Sequence, residues 1–110
     1  MSDVQKLDLQ AMQVAAAKAC GMLKVLGNPD RLLLLCQLTQ GEFSVGELEM
    51  LLQIQQPTLS QQLGVLREEG LVSTRREGKQ IFYKIESREA TAIMQVLYEL
   101  FCQPGKGETT

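Results

Sequence analysis

The feature that most constrains the fold is residues 56–85, where a helical pattern gives way to two strand-like runs. The leucines of QPTLSQQLGVLREEG recur at spacings of four and three residues, at Leu59, Leu63 and Leu66. That spacing predicts an amphipathic helix that begins near Pro57, a favourable first-turn residue, and ends near Glu69. Beyond Gly70, LVSTRR and QIFYKI are β-prone, and the EGK between them predicts a hairpin turn that contains glycine. A fold for this chain must therefore place a short leucine-faced helix directly before a β-hairpin.

The segments before this helix are also predicted to be helical. Residues 7–26 form a helix with an alanine-rich centre, and the GNP that follows ends it. Residues 30–39 form a short helix that is apolar nearly all round, so it is predicted to be buried. A third helix over residues 45–52 begins at a capping box, in which Ser44 is followed three residues later by Glu47.

A last helix is predicted over residues 87–102. Ser87 suits its N-cap. Its apolar face is expected to consist of Ile93, Leu97 and Leu100. Cys102 lies off that face and beside Tyr98 on a helical projection, so we expect its thiol to be accessible. The tail, residues 103–110, is expected to fray.

This order of elements is typical of a winged helix-turn-helix, a mainly α fold with a small β-hairpin wing. The length suits a single domain, residues 1–110, with the helix-turn-helix over residues 45–69 and the wing over residues 71–85. A protein that reads palindromic sites needs two recognition helices about one DNA turn apart (~34 Å), so a dimer is expected. The alanine-rich VAAAKA of the first helix would let two helices approach closely.

Charge is distributed unevenly along a chain of ordinary globular composition. Hydrophobic residues make up 45% of the 110 positions and charged residues 22%, with a net charge of −2. Residues 56–84 carry five basic and three acidic side chains, a net of +2, so the remaining residues sum to −4. A weakly basic patch on an acidic body suits a DNA-contacting surface. No apolar stretch approaches a membrane span and the N-terminus lacks a signal-peptide pattern, so we expect a cytoplasmic protein without a membrane partner.

The helix that follows Pro57 carries the side chains expected to read double-stranded DNA. Its leucines turn inward, which leaves short polar side chains facing outward near its N-terminus. Glutamine can pair with adenine through two hydrogen bonds, serine and threonine can reach a base or a phosphate, and helix-start amides can meet a phosphate. Basic residues at the wing tip are expected to reach the backbone or the minor groove. The predicted DNA-binding residues are Gln56, Thr58, Ser60, Gln61, Gln62, Arg75, Arg76 and Lys79.

The stretch FSVGELEMLLQIQQPTLSQQLGVLREEGLVSTRREGKQIFYKI resembles the DNA-binding core of the arsenical-resistance repressor (ArsR) family of bacteria. LGNPDRLLLL resembles the family's usual stretch before that core, so the resemblance spans about residues 15–102. GEFSVGELE, QPTLSQQLGVLRE and KQIFY are closer still to the BigR/SqrR-type persulfide-responsive subgroup. The resemblance implies a homodimeric repressor that leaves its palindromic operator when an inducer binds. It also implies that residues 7–26 and 87–102 are the dimerisation helices.

The chain has three cysteines and no histidine. Without histidine there is no His-ligated zinc site and no Ser–His or Cys–His catalytic pair, and CxxC is absent, so no enzyme activity and no cofactor are expected. The family's common metal sites are missing, because residues 45–52 hold no cysteine, and no metal ligand is predicted. The subgroup's cysteine pair corresponds to Cys36 and Cys102. The resemblance therefore implies a redox sensor in which reactive sulfur species, persulfide or polysulfide, cross-link these two residues and release DNA.

Several alternatives remain open on the sequence alone. Cys36 lies within RLLLLCQL, surroundings that favour simple core packing. The three thiols could form a site for a soft ion such as As(III), Cd(II) or Cu(I), or the pair could be a peroxide-type disulfide switch. The winged helix could also bind protein instead of DNA. Cys20, on the first helix, is interpreted as a packing or interface residue.

Overall fold

Leucines from successive helices meet in one core, and a hairpin closes over it. A computed structural model describes residues 8–102. The predicted fraying of residues 103–110 and the predicted helix start at residue 7 lie outside this range. The described helices are α1 (Leu9–Leu26), α2 (Pro29–Leu38), α3 (Val45–Leu52), α4 (Thr58–Glu68) and α5 (Arg88–Leu97), and α5 continues as a π-helical turn over Tyr98–Cys102. The described strands are β1 (Phe43–Ser44), β2 (Val72–Glu77) and β3 (Gln80–Ile85). The prediction of a mainly α fold with a small hairpin wing is confirmed.

The core is formed largely by α2, α3 and α4. The largest fully buried side chains are all leucines: Leu34, Leu35, Leu38, Leu48, Leu59, Leu63 and Leu66. The three that belong to α4, Leu59, Leu63 and Leu66, are the leucines whose spacing of four and three residues predicted the buried face of this helix. The prediction that α2 is buried all round is only partly right, because Leu33 is 44% exposed and Cys36 is half-buried. One side of α2 thus remains open, and Cys36 borders that opening.

The wing is a two-stranded hairpin with a very short turn. Glu77 pairs with Gln80, so only Gly78 and Lys79 lie between the strands. Gly78 has a φ of 65°, a left-handed conformation that glycine adopts without steric cost. The sequence did not predict β1, which pairs with the opposite edge of β3 and gives the strand order β1-β3-β2. This short strand joins the base of the wing to the start of α3.

Two predicted helix caps are present, and one predicted apolar face is wrong in part. The capping box of α3 is formed in both directions, with Ser44 N–H donating to Glu47 at 2.8 Å and Glu47 N–H donating to the Ser44 hydroxyl at 3.2 Å. The Ser87 hydroxyl caps α5 by accepting from the N–H of Ala90. Leu100, predicted to continue the apolar face, is instead 66% exposed. Leu100 lies inside the π-helical turn that follows α5, where the hydrogen bonds span five residues and not four, so it leaves the 3.6-residue register of α5.

Helix α1 extends away from the core for most of its length. Only Val25 and Leu26, in its last turn, are buried. Its exposed apolar side chains include Leu9, Met12, Val14 and Leu23. Within the part of the chain described here, no helix is long and apolar enough to cross a membrane.

Candidate functional site

Helix α4 directs its leucines into the core and its polar side chains outward. Ser60 and Gln61 are exposed, and Thr58 and Gln62 are half-buried. Gln56 lies just before the helix and is exposed. All the residues predicted to read bases therefore lie on or beside one solvent-facing surface at the N-terminal half of α4, a placement from which a recognition helix can contact a DNA groove. Their roles as DNA contacts stay predictions.

Gln56 acts within the protein as a helix cap. Pro57 occupies the N-cap position and has no side chain that can accept a hydrogen bond. The Gln56 Oε1 atom takes over this task and accepts from the N–H of Ser60 at 3.1 Å. One of the free N–H groups at the start of α4 is thereby satisfied, so it is not available to a phosphate in this conformation.

Gln62 is also engaged within the protein, by a residue that the sequence reasoning missed. Nη1 of Arg31 donates to Gln62 Oε1 at 2.8 Å, and Nε of the same guanidinium donates to the carbonyl of Val25 at 2.6 Å. Arg31 belongs to α2, Val25 to the last turn of α1 and Gln62 to α4. A single side chain thus joins three helices. The only signal in the sequence was a charged residue beside the leucine run of α2.

Three of the four basic side chains of the wing, those nearest its tip, lie in two different environments. Arg75 donates to both carboxylate oxygens of Glu42, at 2.9 and 3.0 Å, and to Glu77 at 3.0 Å. Its guanidinium also lies 4.6 Å from the centroid of the Phe82 ring. The hydrogen bond from Arg75 lowers the pKa of Glu42, and the two carboxylates raise that of Arg75. Arg75 is therefore already neutralised and anchored in the middle of the wing, where it pairs with Phe82.

Arg76 and Lys79 lie in a different environment from Arg75. Both are exposed, and neither forms an ion pair with another residue of the described range. Lys79 occupies the turn itself, and Arg76 is only one residue from the end of β2. These two cations are consequently the ones at the wing tip that remain available to an external anion.

Two cysteines from distant parts of the chain line the same groove. Cys36 of α2 and Cys102 of the π-helical turn border an open cavity of about 350 Å³ between α2 and the last helix. The other lining residues are apolar or aromatic: Pro29, Leu32, Leu33, Met94, Leu97, Tyr98 and Phe101. Both cysteines are free thiols. We refer to this cavity as the dithiol groove.

The two thiols of the dithiol groove differ in accessibility. Cys102 is exposed, as predicted, whereas Cys36 is half-buried. Burial, and secondarily the neighbouring Cys102, raise the pKa of the Cys36 thiol above its usual value. Cys36 is therefore protonated at neutral pH, because the thiolate is disfavoured when it is desolvated. Cys20 is a free, exposed thiol on α1 and does not line the groove.

No metal-binding cluster is found within residues 8–102, where no three His, Cys, Asp or Glu side chains come close enough together to hold an ion. Cys20, Cys36 and Cys102 all lie inside this range. Cys36 and Cys102 line one groove, and Cys20 is not brought to it within the described chain.

Comparison with known proteins places this architecture among bacterial regulators. A family model described as "Bacterial regulatory protein, arsR family" matches residues 28–74. The biofilm growth-associated repressor of Agrobacterium fabrum is 55% identical over 102 residues, which cover 93% of this chain and 87% of that protein.

Solved structures agree with this relationship. The transcriptional repressor BigR from Xylella fastidiosa superimposes with a TM-score of 0.80 at 50% identity, covering 88% of this chain and 99% of that one. Reduced HlyU from Vibrio cholerae superimposes with a TM-score of 0.83 at 45% identity, covering 86% of this chain and all of that one.

Proposed function

The chain belongs to the arsR family of bacterial regulatory proteins, and from that membership we propose that it is a homodimeric transcriptional repressor released from DNA by reactive sulfur species. It binds a palindromic operator through α4 and the wing. It senses persulfide or polysulfide through Cys36 and Cys102, which become cross-linked. The general role is that of a DNA-binding transcriptional repressor, the role by which the Agrobacterium and Xylella relatives are named.

Dimerisation is supported by the apolar surface that the single chain leaves uncovered. Large exposed apolar side chains occur on α1 and at the end of the chain's last helix, where Leu100 and Phe101 are 66% and 77% exposed. Such exposed apolar surface is characteristic of an interface and not of a monomer's free surface. A second copy that pairs through these helices would cover it and bring two α4 helices to one palindrome.

The observation that carries the sensing proposal is the shared dithiol groove. Cys36 and Cys102 come from separate elements, yet they line one cavity and remain free thiols. The remaining lining holds no charged side chain from the described residues, so it accommodates uncharged sulfur atoms better than hydrated ions. A bridge that contains extra sulfurs can fill the groove without drawing the two backbones as close as a disulfide demands.

The chemistry begins at the exposed thiol. The Cys102 thiolate attacks the outer sulfur of a donor persulfide R–S–SH, the donor S–S bond breaks, R–S⁻ leaves and takes up a proton, and Cys102 becomes a persulfide. Cys36 reacts in the same way with a second donor, more slowly because its thiolate is disfavoured. The deprotonated terminal sulfur of one persulfide then attacks the Sγ of the other and expels hydrosulfide. Two thiols and two R–SSH thus yield one trisulfide bridge, two R–SH and one H₂S, with the donor persulfides as the only oxidant.

The bridge can act on DNA because the two cysteines belong to elements with different roles. Cys102 ends the helix proposed for dimerisation, and Cys36 lies on α2, which packs against α4 and is bonded to it through Arg31. Cross-linking fixes α2 relative to the last helix and so biases the position of the recognition helices. A coupling free energy of about 1–3 kcal/mol would lower DNA affinity about 5- to 150-fold.

Selection from a pool of randomised duplex DNA tests the DNA-binding half of the proposal without knowledge of the operator. The reduced protein should enrich an inverted repeat whose half-sites are about one helical turn apart. Enrichment of no sequence would contradict the proposal and favour a winged helix that binds protein.

The sensing half is tested on the enriched duplex with glutathione persulfide and with hydrogen peroxide in parallel. Persulfide should weaken binding of the wild type and of the Cys20→Ser control, but not of Cys36→Ser or Cys102→Ser. Loss of binding that survives both of these substitutions would contradict a sensor built on this pair. Equal responses to persulfide and peroxide, with only a direct disulfide in the protein, would identify a peroxide-type switch instead.

A further inference from the structure

Arg31, which links α2 to α4 in the proposed sensing mechanism, also occupies a junction that affects how α4 presents its polar side chains. Its backbone N–H donates to the Asn28 side chain that caps α2, which fixes the start of the helix. Its guanidinium donates to the carbonyl of Val25 at 2.6 Å and, at the longer distance of 3.5 Å, to that of Lys24. These carbonyls belong to the last turn of α1, where the helix dipole favours a cation, and the Lys24 carbonyl also accepts from the N–H of Gly27. These bonds to α1 fix the position of the guanidinium independently of its contact with α4.

A further donor of this anchored guanidinium determines how the Gln62 amide is turned. Arg31 Nη1 donates to Gln62 Oε1 at 2.8 Å. A guanidinium has donors only, so the opposite orientation of the amide would set its NH₂ group against another donor. The carbonyl oxygen of Gln62 is thus turned toward Arg31 of α2. The NH₂ group, on the other side of the planar amide, is the part of Gln62 left to meet DNA.

The fixed orientation restricts what Gln62 can recognise. A glutamine pairs with adenine through one donor and one acceptor side by side, and the acceptor of Gln62 is turned toward Arg31. Its NH₂ group matches any base that presents an acceptor in the major groove, namely guanine O6 and N7, thymine O4 or adenine N7, but it does not match cytosine, which presents only the donor N4 amine. Gln61, the exposed neighbour on the same helix, carries no such side-chain bond within residues 8–102, so it keeps both donor and acceptor.

We propose that Arg31 is a positioning residue for DNA readout, which turns the Gln62 amide so that α4 presents a hydrogen-bond donor at one base position of each half-site. The inference rests on the proposed DNA-binding function and adds a rule of sequence preference to it. At the Gln62 position guanine, thymine and adenine are accepted, and cytosine is disfavoured because it presents only a donor. The loss of one such hydrogen bond lowers affinity about 3- to 10-fold per half-site.

The test compares base preferences, position by position, for duplexes selected from a randomised pool by reduced wild type, Arg31→Met, Gln62→Glu and Gln62→Met. In Arg31→Met the amide is free to turn and can present its oxygen, so cytosine should become acceptable at one position of each half-site while the other positions keep their preference. Gln62→Glu retains the bond to Arg31 but has no donor, so preference at that same position should shift to cytosine, whose N4 amine donates to a carboxylate. Gln62→Met should lose preference there altogether.

Gln61→Met serves as the matched control, since it should alter a different position. A thermal unfolding curve for each variant identifies those that remain folded, and Gln62→Glu keeps the test decisive if Arg31→Met does not fold. Unchanged preferences in folded Arg31→Met and in Gln62→Glu would overturn the positioning role while leaving DNA binding intact. A uniform loss across all positions would equally overturn it, because that pattern indicates a purely structural effect. Failure of the wild type to select any duplex would refute the proposed function and this inference together.

Discussion

Adjacent arginines on the wing provide a direct test of which cations meet the DNA backbone. Arg75 is bonded to Glu42 and Glu77 and stacked over Phe82, whereas Arg76 is exposed and forms no ion pair within the described residues. We therefore expect Arg76→Gln to remove a phosphate contact and Arg75→Gln to leave the number of contacts unchanged. The two variants remove the same charge from neighbouring positions, so each controls for the other.

The expected change in the salt dependence of DNA binding follows from counterion release. Each neutralised phosphate contributes about −0.9 to the slope of log K against log salt concentration. The proposed dimer has two wings, so Arg76→Gln should reduce the magnitude of the slope by about 1.8. When salt is raised fourfold, from 50 to 200 mM, the factor by which affinity falls should then be about 12 times smaller for the variant than for the wild type.

Fluorescence anisotropy of a labelled duplex at a series of salt concentrations measures this slope. The Arg75→Gln protein should show the wild-type slope and a lower free energy of unfolding, because the substitution breaks the bonds to Glu42 and Glu77 in the middle of the wing. A decrease in slope for Arg75→Gln as large as that for Arg76→Gln would refute the reasoning. It would mean that DNA displaces Glu42 from Arg75.

Three further predictions concern the core, a helix cap and the less accessible thiol. Leu63→Ala removes a side chain that is 1% exposed and should lower the free energy of unfolding by about 2–5 kcal/mol in urea denaturation; a change below 1 kcal/mol would contradict its placement in the core. Ser44→Ala removes the hydroxyl half of the α3 capping box and should cost about 1 kcal/mol in the same assay, whereas no cost would show that the cap is dispensable. In Cys102→Ser, burial still raises the pKa of Cys36. The fraction of thiolate then rises with pH until the raised pKa is reached, so the rate of persulfide transfer to Cys36 should increase about tenfold per pH unit through neutrality. A rate independent of pH by stopped-flow or mass spectrometry would be inconsistent with a desolvated thiol.

Local patterns predicted the secondary structure well where the deciding interactions are local. The 4–3 spacing identified the buried face of α4, and the Ser44–Glu47 pair located the first residue of α3. A glycine between β-prone runs located the turn of the wing. Each of these signals acts over a few residues, so the sequence contains all the required information.

Interactions between distant residues were not predictable in the same way. Glu42 and Arg75 are separated by 33 positions, and Arg31 and Gln62 by 31. Nothing in the periodicity shows that these polar side chains meet, so Gln62 and Arg75 appeared to be free surface residues. Leu100 was misplaced for a related reason, since the π-helical turn that shifts its phase depends on how the last helix packs.

The cysteines illustrate what resemblance added to the physical pattern. RLLLLCQL alone favours a core residue, and Cys36 is indeed half-buried. The pairing with Cys102 followed from family resemblance, and the structure then places both residues on one groove. Their role in sensing remains the proposal that most needs measurement.

The most direct measurement of the central claim is a persulfide titration in which bridge formation and DNA release are followed in the same samples. Glutathione persulfide is added stepwise to the Cys20→Ser protein bound to its selected duplex. Intact-mass spectrometry gives the fraction of chains that have gained bridging sulfur and lost two hydrogens, and anisotropy gives the fraction of DNA released. We predict that the two fractions rise together and that a thiol reductant reverses both. DNA that stays bound when the chains are fully bridged, or that is released before any bridge forms, would contradict the claim that Cys36 and Cys102 are the switch.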